Sequence, residues 1–187
     1  MPPKQRITRE MILERSFAMF CQEGMEAVNA RSVAKALNCS TQPIFSYFSG
    51  MEDLKDSLDL KARELFEETL NGAARESETL NSYCLAYVRF ADAQPHLFSR
   101  MFLRLSDTAG SFMHLLNESL WQAESQQNGI SVEQARIVCN DTLVYAHGLA
   151  AVAASRKGFM PLEEIENRVL EVHQANLLLA RQHDSEQ

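Results

Sequence analysis

The sequence predicts an all-α protein of about nine helices, and two features of its 187 residues lead to this fold class. Apolar residues recur every three or four positions along most of the chain, which is the spacing of one helix face. Most glycines fall at or near the ends of these periodic segments, where helices commonly stop, and no segment alternates as a strand does. The helices are predicted at residues 8–23, 30–37, 41–48, 51–74, 79–93, 95–106, 110–127, 131–157 and 161–182.

The charge distribution suggests two domains, residues 1–50 and residues 51–187. The first fifty residues contain six Lys or Arg and four Glu, a net charge of +2, whereas the remainder carries −9. A mildly basic head on an acidic body indicates that only the head binds a polyanion. The long fourth helix, residues 51–74, is predicted to bridge the two domains.

Two short helices with a tight turn between them are predicted in residues 29–48, and together they form a helix-turn-helix. Asn29 can cap the second helix. Asn38 suits the turn, because asparagine tolerates the left-handed conformation better than most residues. Ser40 is predicted to cap the third helix, and Pro43 falls in its first turn, where no intrahelical N–H bond is lost.

The third helix is predicted to expose a short polar face that carries little charge. Ile44 and Phe48 share the inward side, and Gln42, Pro43 and Ser46 lie opposite. Such a face can present hydrogen-bonding groups to base edges while the positive end of the helix meets phosphate. The alternative interpretation is a surface helix in a bundle that binds no DNA.

A known family shares the pattern of the head. Residues 8–55 contain a first helix with Ile12 and Phe20, a closing Gly24, and then the motifs RSVAKALNCS, IFSYF and MEDL. In spacing and residue type this segment resembles the N-terminal domain of the tetracycline-repressor (TetR) family of transcriptional regulators. Residues 56–187 resemble that family only in their number of helices.

The resemblance implies that the third helix lies in the major groove of double-stranded operator DNA. Asn29 and Arg31 would contact phosphate, the third helix would approach the bases, and Tyr47 would contact the backbone. Gln42 suits adenine, and Pro43 could touch a thymine methyl. The expected DNA-binding residues are Asn29, Arg31, Ser40, Thr41, Gln42, Pro43, Phe45, Ser46 and Tyr47.

Two positions depart from the family pattern. The family commonly has tyrosine at the position of Phe45 and lysine at the position of Met51. With fewer phosphate contacts, either the affinity for DNA is lower, or Lys4 and Arg6 in the N-terminal arm contribute more.

The eighth helix contains a segment, residues 142–154, that is apolar almost all round. A helix of this kind is buried on every side. We therefore expect that its second face, the one turned away from its own subunit, meets another subunit. The resemblance implies the same arrangement, a homodimer in which the last two helices of each subunit form a four-helix bundle. An internal core helix in a monomer is the alternative.

The middle helices concentrate aromatic and sulfur-containing side chains on their apolar stripes. These side chains could line a pocket for a small apolar or aromatic effector, although each is individually more often a core residue. His114 and His147 could supply a polar anchor for this effector, although each is more often a core histidine. The expected ligand-binding residues are Tyr83, Tyr87, Phe98, Met101, Phe102, Met113, Trp121 and Tyr145.

Other functional classes find little support in the sequence. The chain has no HExxH, GxSxG or phosphate-loop motif and no Glu-x-x-His pair, so we do not predict an enzyme. The four cysteines are spaced like buried thiols, and no metal or other cofactor is predicted. With no long apolar run and no signal-peptide pattern, we expect a cytoplasmic protein that does not contact a membrane.

The resemblance therefore implies a TetR-like transcriptional regulator that binds palindromic operator DNA as a dimer and is released by a small molecule. We expect repression rather than activation of transcription, because the family tends to repress. The alternative function is a helical protein-interaction adaptor that has lost DNA binding.

Overall fold

The computed structural model describes residues 7–77, 79–103, 117–155 and 160–184, which contain helices and no strand, so the all-α prediction is confirmed. A 3-10 turn at Met25–Ala27 separates the first two helices, and a π-helical segment at Ser99–Leu103 continues the sixth. The helices are α1 (Arg9–Glu23), α2 (Ala30–Ala36), α3 (Gln42–Tyr47), α4 (Met51–Glu76), α5 (Leu80–Ala93), α6 (Pro95–Phe98), α7 (Glu118–Asn128), α8 (Val132–Ala154) and α9 (Leu162–Asp184).

The chain divides into two compact units, Met1–Leu65 and Phe66–Gln187, and the division falls inside α4. An ion pair between Lys61 and Glu14 attaches the first half of α4 to α1. The predicted boundary at residue 50, between a DNA-binding domain and an effector-binding and dimerisation domain, stays a prediction.

The first unit is organised around apolar side chains from all four of its helices. The fully buried members include Ile12, Phe20, Val33, Ile44, Leu54 and Leu58. Each such side chain contributes roughly 1.5–3 kcal/mol by leaving water. Thr8 fixes the start of α1, because its side chain accepts a hydrogen bond from the Met11 N–H at 3.2 Å.

The second unit is built on α5, which packs against both α8 and α9. Ser131 and Gln134 form a reciprocal capping box that defines the start of α8. By length and composition α8 could cross a membrane, as can the core helices of many soluble proteins. The fully buried residues of this unit include Leu80, Cys84, Tyr87, Leu97, Phe98, Cys139 and Val169.

A buried polar cluster joins α7 to α9 in the second unit. His173 Nε2 lies 2.6 Å from Glu124 Oε1, and the Asn128 amide donates to the same oxygen at 2.7 Å. Glu124 is only 2% exposed and His173 only 6%. Polar groups buried this deeply are tolerated because they satisfy one another.

The middle of the chain differs from the predicted helices. Asn117 has extended backbone angles, and its side chain accepts a hydrogen bond from the Leu120 N–H at 3.0 Å. This N-cap makes α7 begin at Glu118, so the helix predicted at 110–127 is not continuous. Residues 110–116 of that prediction, with Met113 and His114, lie outside the described residues.

The second face of α8 is exposed within a single chain. Val144 is 55% exposed and Ile137 is 48% exposed, whereas Val138, Leu143 and Ala146 on the other side are buried. Complete burial of the helix is therefore not achieved by one subunit. The expectation of a partner for this face remains a prediction.

Candidate DNA interface

The turn of the helix-turn-helix has the backbone conformation that the sequence predicts. The Asn29 side chain caps α2 by accepting a hydrogen bond from the Ser32 N–H at 3.0 Å. Asn38 has a φ of 51°, the left-handed region. The Cys39 N–H then returns to the Ala34 carbonyl at 2.9 Å, which closes the turn.

The start of α3 differs from the prediction. Thr41, not Ser40, occupies the N-cap position, and neither residue makes a side-chain capping hydrogen bond there. A cap by the Thr41 side chain is prevented locally, because Pro43 has no N–H and the Ile44 N–H donates to the Thr41 backbone carbonyl at 3.1 Å. The Ser40 cap was expected through the Gln42 N–H, but α3 begins one residue later than that cap requires. The predicted Ser40 cap is therefore wrong. Its hydroxyl is exposed at the N-terminal end of α3.

The two sides of α3 are occupied as the sequence predicts. Ile44 and Phe48 are buried, and Gln42 and Ser46 are exposed on the opposite side. The Ser46 hydroxyl donates to the Gln42 backbone carbonyl at 3.0 Å, and the Gln42 side chain is exposed. Phe45 is 53% exposed, an unusual position for a large apolar ring unless a partner covers it.

An open groove of about 770 Å³ lies beside α3 in the first unit. Ile7 and Met11 from the start of the chain line one side, and residues 37–40 of the turn line another. The structure brings five of the nine expected DNA-binding residues to this groove: Ser40, Gln42, Pro43, Ser46 and Tyr47. Thr41, Phe45, Asn29 and Arg31 are not part of its lining.

Two cations on α2 are available for an anionic partner. Arg31 and Lys35 are both exposed, and neither makes a hydrogen bond or ion pair within the described residues. Lys55, the lysine one turn after Met51, instead pairs with Glu52 at 2.8 Å. Such an exposed pair is weak and can exchange partners.

Sequence reasoning did not predict the contact between Arg9 and the end of α3. The Arg9 guanidinium carbon lies 4.8 Å above the centre of the Phe48 ring, and Arg9 donates to the Ser57 hydroxyl at 3.4 Å. No local pattern links the first residue of α1 to the end of α3. The contact depends on tertiary packing.

The second unit brings together only some of the expected ligand-binding residues. Tyr87, Phe98 and Phe102 form edge-to-face or tilted ring contacts at 5.1–5.4 Å, and Phe66 joins them at 5.1–5.9 Å. Phe66 was missed, although it continues the stripe of every fourth residue that Leu54 and Leu58 begin. Trp121 and Tyr145 make no ring contact with this cluster in the described part of the chain.

One histidine supplies a polar group at the aromatic cluster. The Tyr87 hydroxyl lies 2.8 Å from His147 Nδ1. Burial lowers the pKa of His147, and burial raises the pKa of Tyr87. Both side chains are therefore neutral near neutral pH, which suits an apolar surrounding.

The cysteines and acidic residues offer no metal centre in the ranges that the structure describes. Burial raises the pKa of Cys84 and of Cys139 to about 12. Cys21 and Cys39 are half-buried, contrary to the expectation of four buried thiols.

Comparison with known proteins identifies the class of the first unit. Residues 12–58 match the family model described as bacterial regulatory proteins, tetR family. No curated protein sequence matches the chain. A TetR-like transcriptional regulator from Rhodococcus sp. RHA1 has a similar structure, with a TM-score of 0.65 over 92% of this chain and 99% of that one, at 14% identity. The resemblance to the TetR family and the DNA-binding helix-turn-helix are thereby confirmed.

Proposed function

We propose that this TetR-like transcriptional regulator is a cytoplasmic repressor that binds palindromic operator DNA as a homodimer and is released by a small effector. The observation that carries the proposal is the exposed polar face of α3. Gln42 and Ser46 are presented there, directly after a turn that Asn38 fixes in the left-handed conformation.

The roles of the interface residues follow from their exposure and chemistry. Gln42 is the best candidate for base readout, because its amide can pair with both hydrogen-bonding groups of adenine. Arg31 and Lys35 carry positive charge that is not neutralised within the described residues, so they suit phosphate. Asn29 caps α2, and its DNA contact would be limited to the atoms that the cap leaves free.

The dimer proposal is supported by apolar side chains on the outer faces of α8 and α9. A groove of about 320 Å³ between these helices is lined by Ile137, Val138 and Leu179 with a few polar neighbours. Leu178 is 60% exposed and Val144 is 55% exposed, which is costly in water unless another surface covers them. Two copies of this face would bury one another.

The effector proposal rests on the aromatic cluster. Tyr87, Phe98 and Phe102 are the three expected ligand-binding residues that the ring contacts unite. The Tyr87–His147 pair would give an incoming aromatic molecule a polar anchor. An effector can weaken DNA binding only if it favours a geometry that misplaces α3, and α4 is suited to transmit it because it contributes residues to both units.

One observation favours the adaptor as a second candidate. Phe45 is 53% exposed where a polar ring would suit phosphate better, and an exposed phenylalanine is typical of protein contacts. A regulator can also use it against a thymine methyl.

The test has two steps. The full-length protein first selects duplexes from a random-sequence library, and the mass of its complex with a selected duplex is then measured. The repressor proposal predicts enrichment of a palindrome that binds an even number of chains. An adaptor would enrich no sequence.

A further inference from the structure

Helix α3 exposes two aromatic rings, which differ in what they contact. Tyr47 is 40% exposed, and its hydroxyl donates to the Ile7 carbonyl at 3.3 Å. Phe45 is 53% exposed, and within the part of the chain that the structure describes its ring makes no ring–ring or cation contact. A single exposed apolar ring is common on protein surfaces, so its position on α3 decides what it can do.

The backbone that carries the Phe45 ring is fixed by the core of the first unit. Ile44, the residue before it, is fully buried, and Phe48 is only 1% exposed. The Phe48 N–H donates to the Ile44 carbonyl at 2.9 Å, so the two buried residues belong to one helical turn. Because a phenylalanine side chain has few rotatable bonds, little conformational entropy is lost when a partner covers this ring.

Phe45 lies beside Gln42, the residue proposed to read a base. Three residues of helix separate the two side chains by about 60° around the axis and about 4.5 Å along it. Adjacent base pairs are about 3.4 Å apart, so the two side chains can contact the same or neighbouring base pairs. Gln42, Pro43 and Ser46 line the groove beside α3 and Phe45 does not, so Phe45 extends the exposed face on the other side of Gln42.

The chemistry of a phenyl ring limits what it can recognise on DNA. The ring has no charge and no conventional hydrogen-bonding group, so it cannot pair with phosphate or with the polar edge of a base. In the major groove, the apolar group that distinguishes one base from the others is the C5 methyl of thymine. An A·T pair displays this methyl beside the adenine groups that suit Gln42.

We propose that Phe45 is a specificity-determining residue that packs against a thymine methyl in the major groove, next to the base that Gln42 reads. This inference rests on the proposed DNA binding and names the chemical group that one further side chain recognises. Burying one methyl group changes affinity about fourfold, so the two half-sites of a palindrome together account for about 15-fold.

The test removes the methyl group alone. The full-length parent selects a duplex from a random-sequence library, and deoxyuridine then replaces its thymines, one symmetry-related pair at a time, which keeps every hydrogen-bonding group of the base. The affinity of each duplex is measured for the parent, Phe45→Ala, Phe45→Tyr and Leu60→Ala. Leu60 on α4 is 59% exposed, so Leu60→Ala is the matched control for loss of an exposed apolar side chain. Thermal unfolding checks that each variant remains folded.

The proposal predicts that deoxyuridine at one pair of positions weakens binding by the parent about 15-fold and that Phe45→Ala abolishes this difference. Phe45→Tyr, which keeps the ring, and Leu60→Ala should retain it. The inference alone would be overturned by a parent indifferent to deoxyuridine at every position, by a selected sequence of G·C pairs only, or by a Phe45→Ala protein that still distinguishes thymine from deoxyuridine at every position where the parent does. A parent that selects no duplex would overturn the proposed function as well and would indicate a protein partner for Phe45.

Discussion

The buried contact between Glu124 and His173 should make the second unit sensitive to the loss of either partner alone. Replacing His173 with leucine removes the partner 2.6 Å from Glu124 Oε1 and leaves a carboxyl group that is 2% exposed. Asn128 still donates to that oxygen at 2.7 Å, but one neutral amide does not replace the lost partner. We therefore expect His173→Leu to be strongly destabilising.

The magnitude follows from the depth of burial. Removing one partner of a buried hydrogen-bonded pair costs about 1–3 kcal/mol, because the other group remains desolvated. In a chain of this size each kcal/mol lowers the melting temperature by about 2–4 °C, so the shift should be about 2–12 °C. The double variant Glu124→Leu/His173→Leu leaves neither side chain unpaired, so it should cost much less than the two single changes together. The Asn128 amide also keeps an acceptor, because it donates at 3.1 Å to the backbone carbonyl of residue 124, which the substitution does not remove.

The assay is urea unfolding of the parent, both single variants and the double variant at one fixed protein concentration, since a dimer makes stability depend on concentration. The reasoning is refuted if His173→Leu costs less than about 0.5 kcal/mol, the range of an ordinary surface substitution. It is also refuted if the double variant is as unstable as the sum of the single variants, because the two residues would then not be coupled.

Four further changes test other parts of the structure. Arg31→Ala should weaken binding to every DNA sequence and flatten the salt dependence, which titrations of matched and unrelated duplexes will measure. Asn38→Ala should cost about 1 kcal/mol in urea unfolding because φ is 51°, whereas Asn38→Gly should be tolerated; equal losses would count against backbone strain. If the proposed dimer forms through this face, Val144→Glu should convert it to monomers in sedimentation, and an unchanged dimer mass would place the interface elsewhere. Because its pKa is about 12, Cys84 should resist alkylation at pH 8 in the folded protein, and rapid labelling followed by mass spectrometry would contradict its burial.

The helix-turn-helix was predictable because its determinants are local. Asn29 caps the helix that follows it, and Asn38 supplies the one left-handed residue of the turn, so both roles can be read from neighbouring residues. The inward side of α3 was predictable for the same reason, since Ile44 and Phe48 lie one turn apart.

The contacts that cross the fold were not predictable from periodicity. The Tyr47–Ile7 and Arg9–Phe48 contacts join residues about 40 positions apart, and nothing in either local segment specifies the partner. Glu124 and His173 each fall on a helix face whose burial depends on a neighbouring helix. Competition between local signals explains the other differences. The Asn117 cap breaks an apolar pattern, and α3 begins after Thr41, one residue later than the predicted serine cap.

The central claim is that the exposed face of α3 reads DNA bases. The most direct test measures the affinity of the parent and of Gln42→Ala for a selected palindrome and for the same duplex with one base pair changed in each half-site. The account predicts that the parent discriminates between them by about 1–3 kcal/mol per changed base pair and that Gln42→Ala loses discrimination at one position. Equal loss of affinity on both duplexes would contradict base readout by Gln42.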